Sequence, residues 1–171
     1  MLVEVPPPES PPRLRVPEWQ LPAYRFVPGM SPHPFRHPDG HMYSDGSAPK
    51  APHWVPELPW ETDRLWLRGL DLFDQRYFWE CHEAFEGIWH QAEAGSAVYT
   101  LCQGLIQSSA FVLKVHMGHE RAATVLLSAA QSKLKLAHDS AGDSFRGVRI
   151  STLSQRLSSF QEGGDWPVIE A

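Results

Sequence analysis

A stretch near the middle of the chain places an imidazole and two carboxylates at helical spacing. In YFWECHEAFEGIWH, residues 77–90, His82 and Glu86 are four residues apart and Glu83 lies between them. Side chains at i and i+4 of a helix lie on the same face, so His82 and Glu86 are neighbours there. Such a set can transfer protons, bind a polar ligand or coordinate a divalent metal.

Two glutamines with the same spacing follow in the next apolar segment. Gln103 and Gln107 lie in the uncharged stretch LCQGLIQSSAFVL, which is typical of a central, buried helix. A buried polar group without a hydrogen bond costs about 1–3 kcal/mol, so these amides need partners. We therefore predict a buried network that joins two helices, made of His82, Glu86, Gln103 and Gln107.

The same residues also permit an active site or a small-ligand site. Partial desolvation beside Trp89 would raise the pKa of Glu83 or Glu86 and allow either to act as a general base. His82 would then serve as the acid or as the orienting group. In this alternative the catalytic residues are His82, Glu83 and Glu86, and the ligand-binding residues are Trp89, Gln103 and Gln107.

Metal binding is a separate possibility for this helix. A zincin signature, His-Glu-x-x-His, needs a second histidine where this chain has Glu86. Di-metal helical bundles use Glu-x-x-His pairs, which the chain lacks, and glutamines are weak ligands. We expect no cofactor, with a divalent metal at His82 and Glu86 as the alternative.

Three histidines recur every four residues in the N-terminal part: His33, His37 and His41. Pro34 and Pro38 exclude a helix there, so the spacing does not place them on one face. We interpret them as surface or packing residues. The alternative is that this segment folds across the helices and one histidine completes a site around His82 and Glu86.

Hydrophobic periodicity predicts five helices after residue 60 and no strand, hence an all-α, compact antiparallel helical bundle over residues 60–161. Thr62 is the expected cap of the first helix. The fourth helix is expected to bury Ala122, Val125, Leu126, Ala129 and Leu134. The predicted helices are about Thr62–Asp74, Tyr77–Ala92, Ala97–Met117, Glu120–Ala137 and Val148–Phe160.

Proline separates this bundle from what precedes it. All but one of the sixteen prolines lie between Pro6 and Pro59, where they prevent regular helix or sheet. The segment is nevertheless rich in aromatic residues, unlike most disordered tails. We predict an extended N-terminal arm, residues 1–59, that lays aromatic side chains on the bundle, with residues 1–15 loose and 162–171 a C-terminal tail.

Composition narrows the class of protein. The chain has 171 residues and a net charge of −5, which disfavours nucleic-acid binding. Its N-terminal residues do not resemble a signal peptide and no apolar run is long enough to span a membrane, so we expect neither feature. Cys81 and Cys102 fall in predicted helices and are expected to be free thiols in a cytoplasmic protein. The partner would be an unknown small molecule, a protein or a second copy of the chain.

The stretch from Trp66 to Leu134 resembles a prokaryotic family catalogued as domain of unknown function 309. The shared motifs are GLDLFDQRYFWECHEAFEGIWH and CQGLIQSSA, and the arm resembles an extension found on some members. The family commonly has arginine after the tryptophan, where this chain has His90. The resemblance implies a compact all-α fold and no particular activity, and it emphasises His82, Glu83, Glu86, Trp89, Gln103, Gly104 and Gln107.

Two function classes follow from these features. The first is a non-catalytic interaction or structural module with a closed His/Glu/Gln network. The alternative is a small-ligand-binding protein or a hydrolase-like enzyme, with or without a metal, whose site is at His82, Glu83 and Glu86. An enzyme or ligand-binding protein needs a concave opening at these residues, whereas a structural network has every polar atom paired inside the bundle.

Overall fold

A computed structural model of the protein describes residues 3–44 and 52–169. Within them the chain forms an all-α bundle, which confirms the predicted fold class. Residues 45–51 of the predicted arm and 170–171 of the predicted tail lie outside the described residues. The elements are α1 (Arg64–Asp74), α2 (Phe78–Trp89), α3 (Ala97–His116), α4 (Glu120–Ala141), β1 (Ser144–Phe145), β2 (Val148–Arg149) and α5 (Ile150–Gln161).

Helix α3 lies at the centre, packed between α2 and α4. Its uncharged middle is buried as the sequence predicted, and so is the apolar stripe of α2, in which Phe78, Cys81, Phe85 and Ile88 are at most 2% exposed. Both cysteines are free and buried. Among the described helices, none combines the length and the hydropathy needed to cross a bilayer.

The buried face of α4 differs from the predicted one. Val125 is 69% exposed and Ala122 is exposed, because the helix turns a narrower stripe of mostly small side chains toward α3. Small residues let two helix backbones approach closely: a Cβ added to Gly104 of α3 would lie 2.9 Å from Leu134 Cδ2. The buried residues of α4 are Ala123, Ala130, Leu134 and Ala137.

Helix α1 is capped by Asp63, whereas the sequence predicts Thr62 as the cap. The Asp63 carboxylate accepts a hydrogen bond from the backbone N–H of Trp66 at 3.0 Å. It also accepts one from the indole of Trp54 at 2.8 Å and pairs with the guanidinium of Arg146. Asp63 is 1% exposed, so one buried carboxylate ties the arm, α1 and the segment before α5 together.

A short antiparallel hairpin lies between α4 and α5, so the prediction of no strand after residue 60 is wrong. Strands β1 and β2 pair antiparallel, and the turn between them has positive φ at Arg146 (50°) and Gly147 (73°). Two positive φ values are what a type I′ hairpin turn requires. Arg146 is held in this strained conformation by its ion pair with Asp63 and by Trp66, whose indole donates to its carbonyl at 2.7 Å.

The N-terminal arm follows the surface of the bundle instead of forming its own secondary structure. Its backbone amides bond to bundle carboxylates: the N–H groups of Arg15 and Val16 each donate to Asp71 at 2.9 Å. The sequence predicts that residues 1–15 make no stable contact with the bundle, but the described part of this segment, which begins at residue 3, packs against it. Val5 is 3% exposed, and Arg76 donates to the carbonyl of Pro7 at 3.1 Å.

Candidate functional site

A cleft of about 960 Å³ lies between the arm and helices α1 and α2. The arm forms one wall, with Leu21 and Phe35 among its side chains, and the bundle forms the other, with Leu65, Leu72 and Ile88. Most of this lining is apolar. The cleft is therefore formed where the proline-rich segment crosses the two helices.

One row of acidic side chains lines the cleft along α2. Glu80, Glu83 and Glu86 follow each other at three-residue spacing along α2, and all three line the cleft. Glu80 is buried at 4% exposure, and the other two are half-buried. We call these three residues the acidic row. They give the cleft a negatively charged side.

At one end of the acidic row, Glu83 and Glu86 meet His82. One carboxylate oxygen of each glutamate and one ring nitrogen of His82 lie within 4.8 Å of one another. His82 Nε2 is 3.9 Å from Glu86 Oε2, and His90 Nε2 is 3.8 Å from Glu86 Oε1, which are ion-pair and not hydrogen-bond distances. Burial, and then the nearby Glu86, raise the pKa of Glu83. The arrangement suits a bound cation.

At the other end of the acidic row, Glu80 faces an arm histidine. His41 Nε2 is 3.4 Å from Glu80 Oε1, without hydrogen-bond geometry, and that oxygen accepts the backbone N–H of Phe26 at 3.1 Å. Three buried atoms here have no hydrogen-bond partner among the described residues: the two ring nitrogens of His41 and the second carboxylate oxygen of Glu80. Burial raises the pKa of Glu80 to about 7 and lowers that of His41.

An arm histidine thus reaches α2, although not at the residues the sequence suggested. His41 lies at Glu80 instead of His82 and Glu86. His33 packs its ring against Trp79, with centroids 5.6 Å apart, and His37 is exposed. Sequence analysis missed Glu80 because a lone glutamate on an amphipathic helix is normally solvated. The available signal was its position directly before Cys81, on the buried side of α2.

The predicted network between α2 and α3 is not formed. Over the described ranges, no hydrogen bond joins Gln103 or Gln107 to His82 or Glu86, and Gln107 Oε1 is buried without a partner. The two helices meet instead through Cys81 and its neighbours, where the Ser109 hydroxyl donates to the Cys81 sulfur at 3.2 Å. His82 is turned by about 100° from that contact, away from the glutamines.

The other predicted ligand-binding residue also lies outside the cleft. Trp89 packs against Tyr99 with ring centroids 5.4 Å apart and is not a lining residue, and neither are Gln103 and Gln107. His82 does not line the cleft either, so of the predicted site residues only Glu83 and Glu86 do. Burial raises the pKa of both thiols, Cys81 and Cys102, so neither supplies a thiolate nucleophile at neutral pH.

The comparisons with known proteins bear on the bundle and not on the arm. Residues 66–126 match the family model described as "Domain of unknown function (DUF309)". The match covers α2, α3, most of α1 and the start of α4, and therefore includes the acidic row. No curated protein and no solved structure matches the chain. The resemblance predicted from the motifs is confirmed for residues 66–126, which match this family model.

Proposed function

We propose that the protein binds a small organic molecule in the cleft between the arm and helices α1 and α2. The observation that carries the proposal is a group of buried atoms in the cleft wall without a hydrogen-bond partner among the described residues: one carboxylate oxygen of Glu80 and both ring nitrogens of His41. Unpaired buried polar groups cost about 1–3 kcal/mol each. A ligand that supplies hydrogen-bond partners there would recover part of this cost.

The shape of the cleft supports a small molecule. Its volume of about 960 Å³ lies within the range of about 300–1,000 Å³ usual for small-ligand sites. Such sites combine an apolar lining with a few polar groups that fix orientation, as here. The competing interpretation, a structural module, required a closed network of His82, Glu86, Gln103 and Gln107, and these four residues share no such network.

The proposal is tested by filling the cleft. Ala84 of α2 lines it and Ala122 of α4 is exposed elsewhere, so Ala84→Phe should block binding and Ala122→Phe should not. The probes are 2-phenylethylamine, 2-phenylethanol and phenylacetate, each titrated at millimolar concentration into isotopically labelled protein. We expect saturable shifts of α2 amide resonances with at least one probe, lost only in Ala84→Phe. If no probe binds, the interaction-module interpretation replaces the proposal.

A divalent metal is the second candidate, favoured by the mutual approach of His82, Glu83 and Glu86 within 4.8 Å. Imidazole and carboxylate ligands suit ions such as Zn²⁺ and Mn²⁺. Because His82 does not line the cleft, the two candidates differ in their need for it. Calorimetric titration with Zn²⁺ should show a single site in the wild type and none in His82→Ala. No heat of binding in the wild type would reject the metal.

Catalysis by His82, Glu83 and Glu86 remains a prediction that depends on ligand binding. The cleft offers carboxylates as general bases, but the described residues lining it include no serine, threonine or cysteine that could act as a nucleophile. A hydrolase-like reaction would therefore use an activated water molecule.

A further inference from the structure

We infer that the ligand of the cleft is an organic monocation, an ammonium group on an apolar body, with the ammonium bound between Glu83 and Glu86. This inference rests on the proposed function and narrows it to one chemical class. It depends on three features of the cleft: the excess of carboxylates, the separation of two of them, and the apolar walls.

Among the described residues, no arginine or lysine forms a salt bridge with the carboxylates of the acidic row. Arg68 is the only arginine or lysine among the described lining residues, and its guanidinium already donates to the arm carbonyls of Trp19 at 3.0 Å and Gln20 at 2.5 Å. In the described part of the chain, neither Glu83 nor Glu86 pairs with an arginine or lysine. The cleft therefore favours a positively charged ligand and disfavours an anion.

The distance between Glu83 and Glu86 suits one ammonium group. Their nearest carboxylate oxygens lie within 4.8 Å. Charge-assisted N–H···O bonds measure about 2.7–2.9 Å, and two N–H bonds of an ammonium diverge by about 109°, so one nitrogen can bond to two oxygens that are about 4.4–4.7 Å apart. An ammonium there would also relieve the repulsion between two like charges, which each carboxylate now experiences from the other.

Glu80 gives an independent indication of a hydrogen-bond donor. Its side chain is 3% exposed and lines the same cleft, yet one carboxylate oxygen has no hydrogen-bond partner among the described residues. An ionised carboxylate only accepts hydrogen bonds, and at pH 8 Glu80, whose pKa is about 7, is mostly ionised. At that pH a ligand that satisfies this oxygen must bring an N–H or O–H group, which a bare hydrocarbon or a carboxylate cannot do.

The remaining walls determine the body of the ligand. Leu21 and Phe35 of the arm face the cleft from one side, and Leu65, Leu72 and Ile88 from the other. Burying apolar surface contributes about 25 cal/mol per Å², so a hydrocarbon or aromatic body is favoured over a second charge. A polyamine would place an additional charged nitrogen against these side chains, at a desolvation cost.

The experiment compares probes of matched shape on the full chain at about pH 8, where the carboxylates are ionised. We expect 2-phenylethylamine to bind about tenfold more tightly than 2-phenylethanol, the equivalent of one charge-assisted hydrogen bond. The preference should disappear at high salt because charge pairing is screened. Phenylacetate should not compete, and spermidine should bind more weakly than the monoamine.

Variants locate the ammonium. Glu83→Gln and Glu86→Gln should each reduce the preference for amine over alcohol by about fivefold or more. The exposed Glu93→Gln, which lies outside the cleft, should leave this preference unchanged. Equal binding of amine and alcohol would overturn the inference and leave the proposed function intact. Tighter binding of phenylacetate or spermidine would also overturn it, and no binding of any probe would overturn both.

Discussion

The imidazole of His41 lies 3.4 Å from the buried carboxylate of Glu80, measured from Nε2 to Oε1. The two residues belong to different parts of the protein, the proline-rich arm and the second helix of the bundle. Their contact therefore joins the arm to one end of the acidic row. It also places two titratable groups together where water is largely excluded, and this has consequences for stability.

Glu80→Gln should change the pH dependence of stability. The pKa of Glu80 in the folded protein is raised to about 7 by burial, above its unfolded value of about 4.3. The folded state therefore binds more protons between these values, and wild-type stability falls as pH rises through this window. At pH 8 we expect the variant to be more stable by on the order of 3 kcal/mol, with no gain near pH 4.

The measurement is urea denaturation of both proteins between pH 4 and pH 8. Asp74, whose pKa burial raises to about 6, gives a slope of the same sign in both proteins, so the difference between them isolates Glu80. Burial lowers the pKa of His41, so its contribution to the pH dependence of stability has the opposite sign to that of Glu80. This contribution to stability is lost as pH falls below about 6.5. Arg25 and Glu83 are the other charged groups that act on Glu80. A pH-independent difference would contradict the account.

Breaking the buried ion pair at the start of α1 should be costly. Asp63→Ala removes the helix cap, the acceptor for Trp54 and the partner of Arg146. Leaving a buried charge without its partner typically costs about 3–5 kcal/mol. Chemical denaturation should show a loss of that size, whereas Asp39→Ala, at an exposed carboxylate, should change stability by less than about 0.5 kcal/mol. Similar stability of the two variants would mean that the pair is not formed.

Two glycine variants separate backbone strain from packing. Gly95 and Gly147 both have positive φ, 83° and 73°, but a Cβ at Gly95 meets no atom within 4 Å, whereas at Gly147 it would lie 2.5 Å from the ring of Trp60. Gly95→Ala should cost about 1–2 kcal/mol of backbone strain. Gly147→Ala should cost about 1–3 kcal/mol more, from overpacking. Equal shifts in thermal midpoint would show that Trp60 does not pack there.

Limited proteolysis can test whether the arm is anchored to the bundle. Asp71 accepts the amides of Arg15 and Val16, so Asp71→Ala should free this part of the arm, and trypsin should cleave after Arg13 and Arg15 several times faster than in the wild type. Asp139→Ala, at an exposed carboxylate of α4, is the control and should leave the cleavage rate unchanged. Equal rates in all three proteins would contradict the docked arm.

The bundle could be predicted from the sequence because each helix has a strong apolar period, as α2 shows with Phe78, Cys81, Phe85 and Ile88. The face of α4 was predicted wrongly, since its buried positions are mostly alanines, which carry little hydrophobic signal. Val125 stood out in the pattern and proved to be exposed. The hairpin turn at Arg146 was not predictable, because arginine has no preference for positive φ and is held there by tertiary contacts.

The candidate site was located only in part. Spacing alone brought Glu83 and Glu86 together with His82, and the structure places them within 4.8 Å. The role assigned to Gln103 and Gln107 depended on the rotation of α3 relative to α2, which helix periodicity does not determine. Glu80 was missed, and an arm histidine such as His41 was considered only at His82 and Glu86, not at Glu80. The contact between them depends on the path of the arm, which hydrophobic periodicity does not predict in a proline-rich segment.

The amide resonance of Phe26 tests the central claim most directly. Its N–H donates to Glu80 Oε1 at 3.1 Å, so any ligand that engages the Glu80 carboxylate must change its chemical shift. On titration with 2-phenylethylamine we predict a saturable shift at Phe26 together with those of Glu83 and Glu86, all absent in Ala84→Phe. Unchanged resonances at these three residues under saturating probe, or equal shifts in Ala84→Phe, would contradict ligand binding in the cleft.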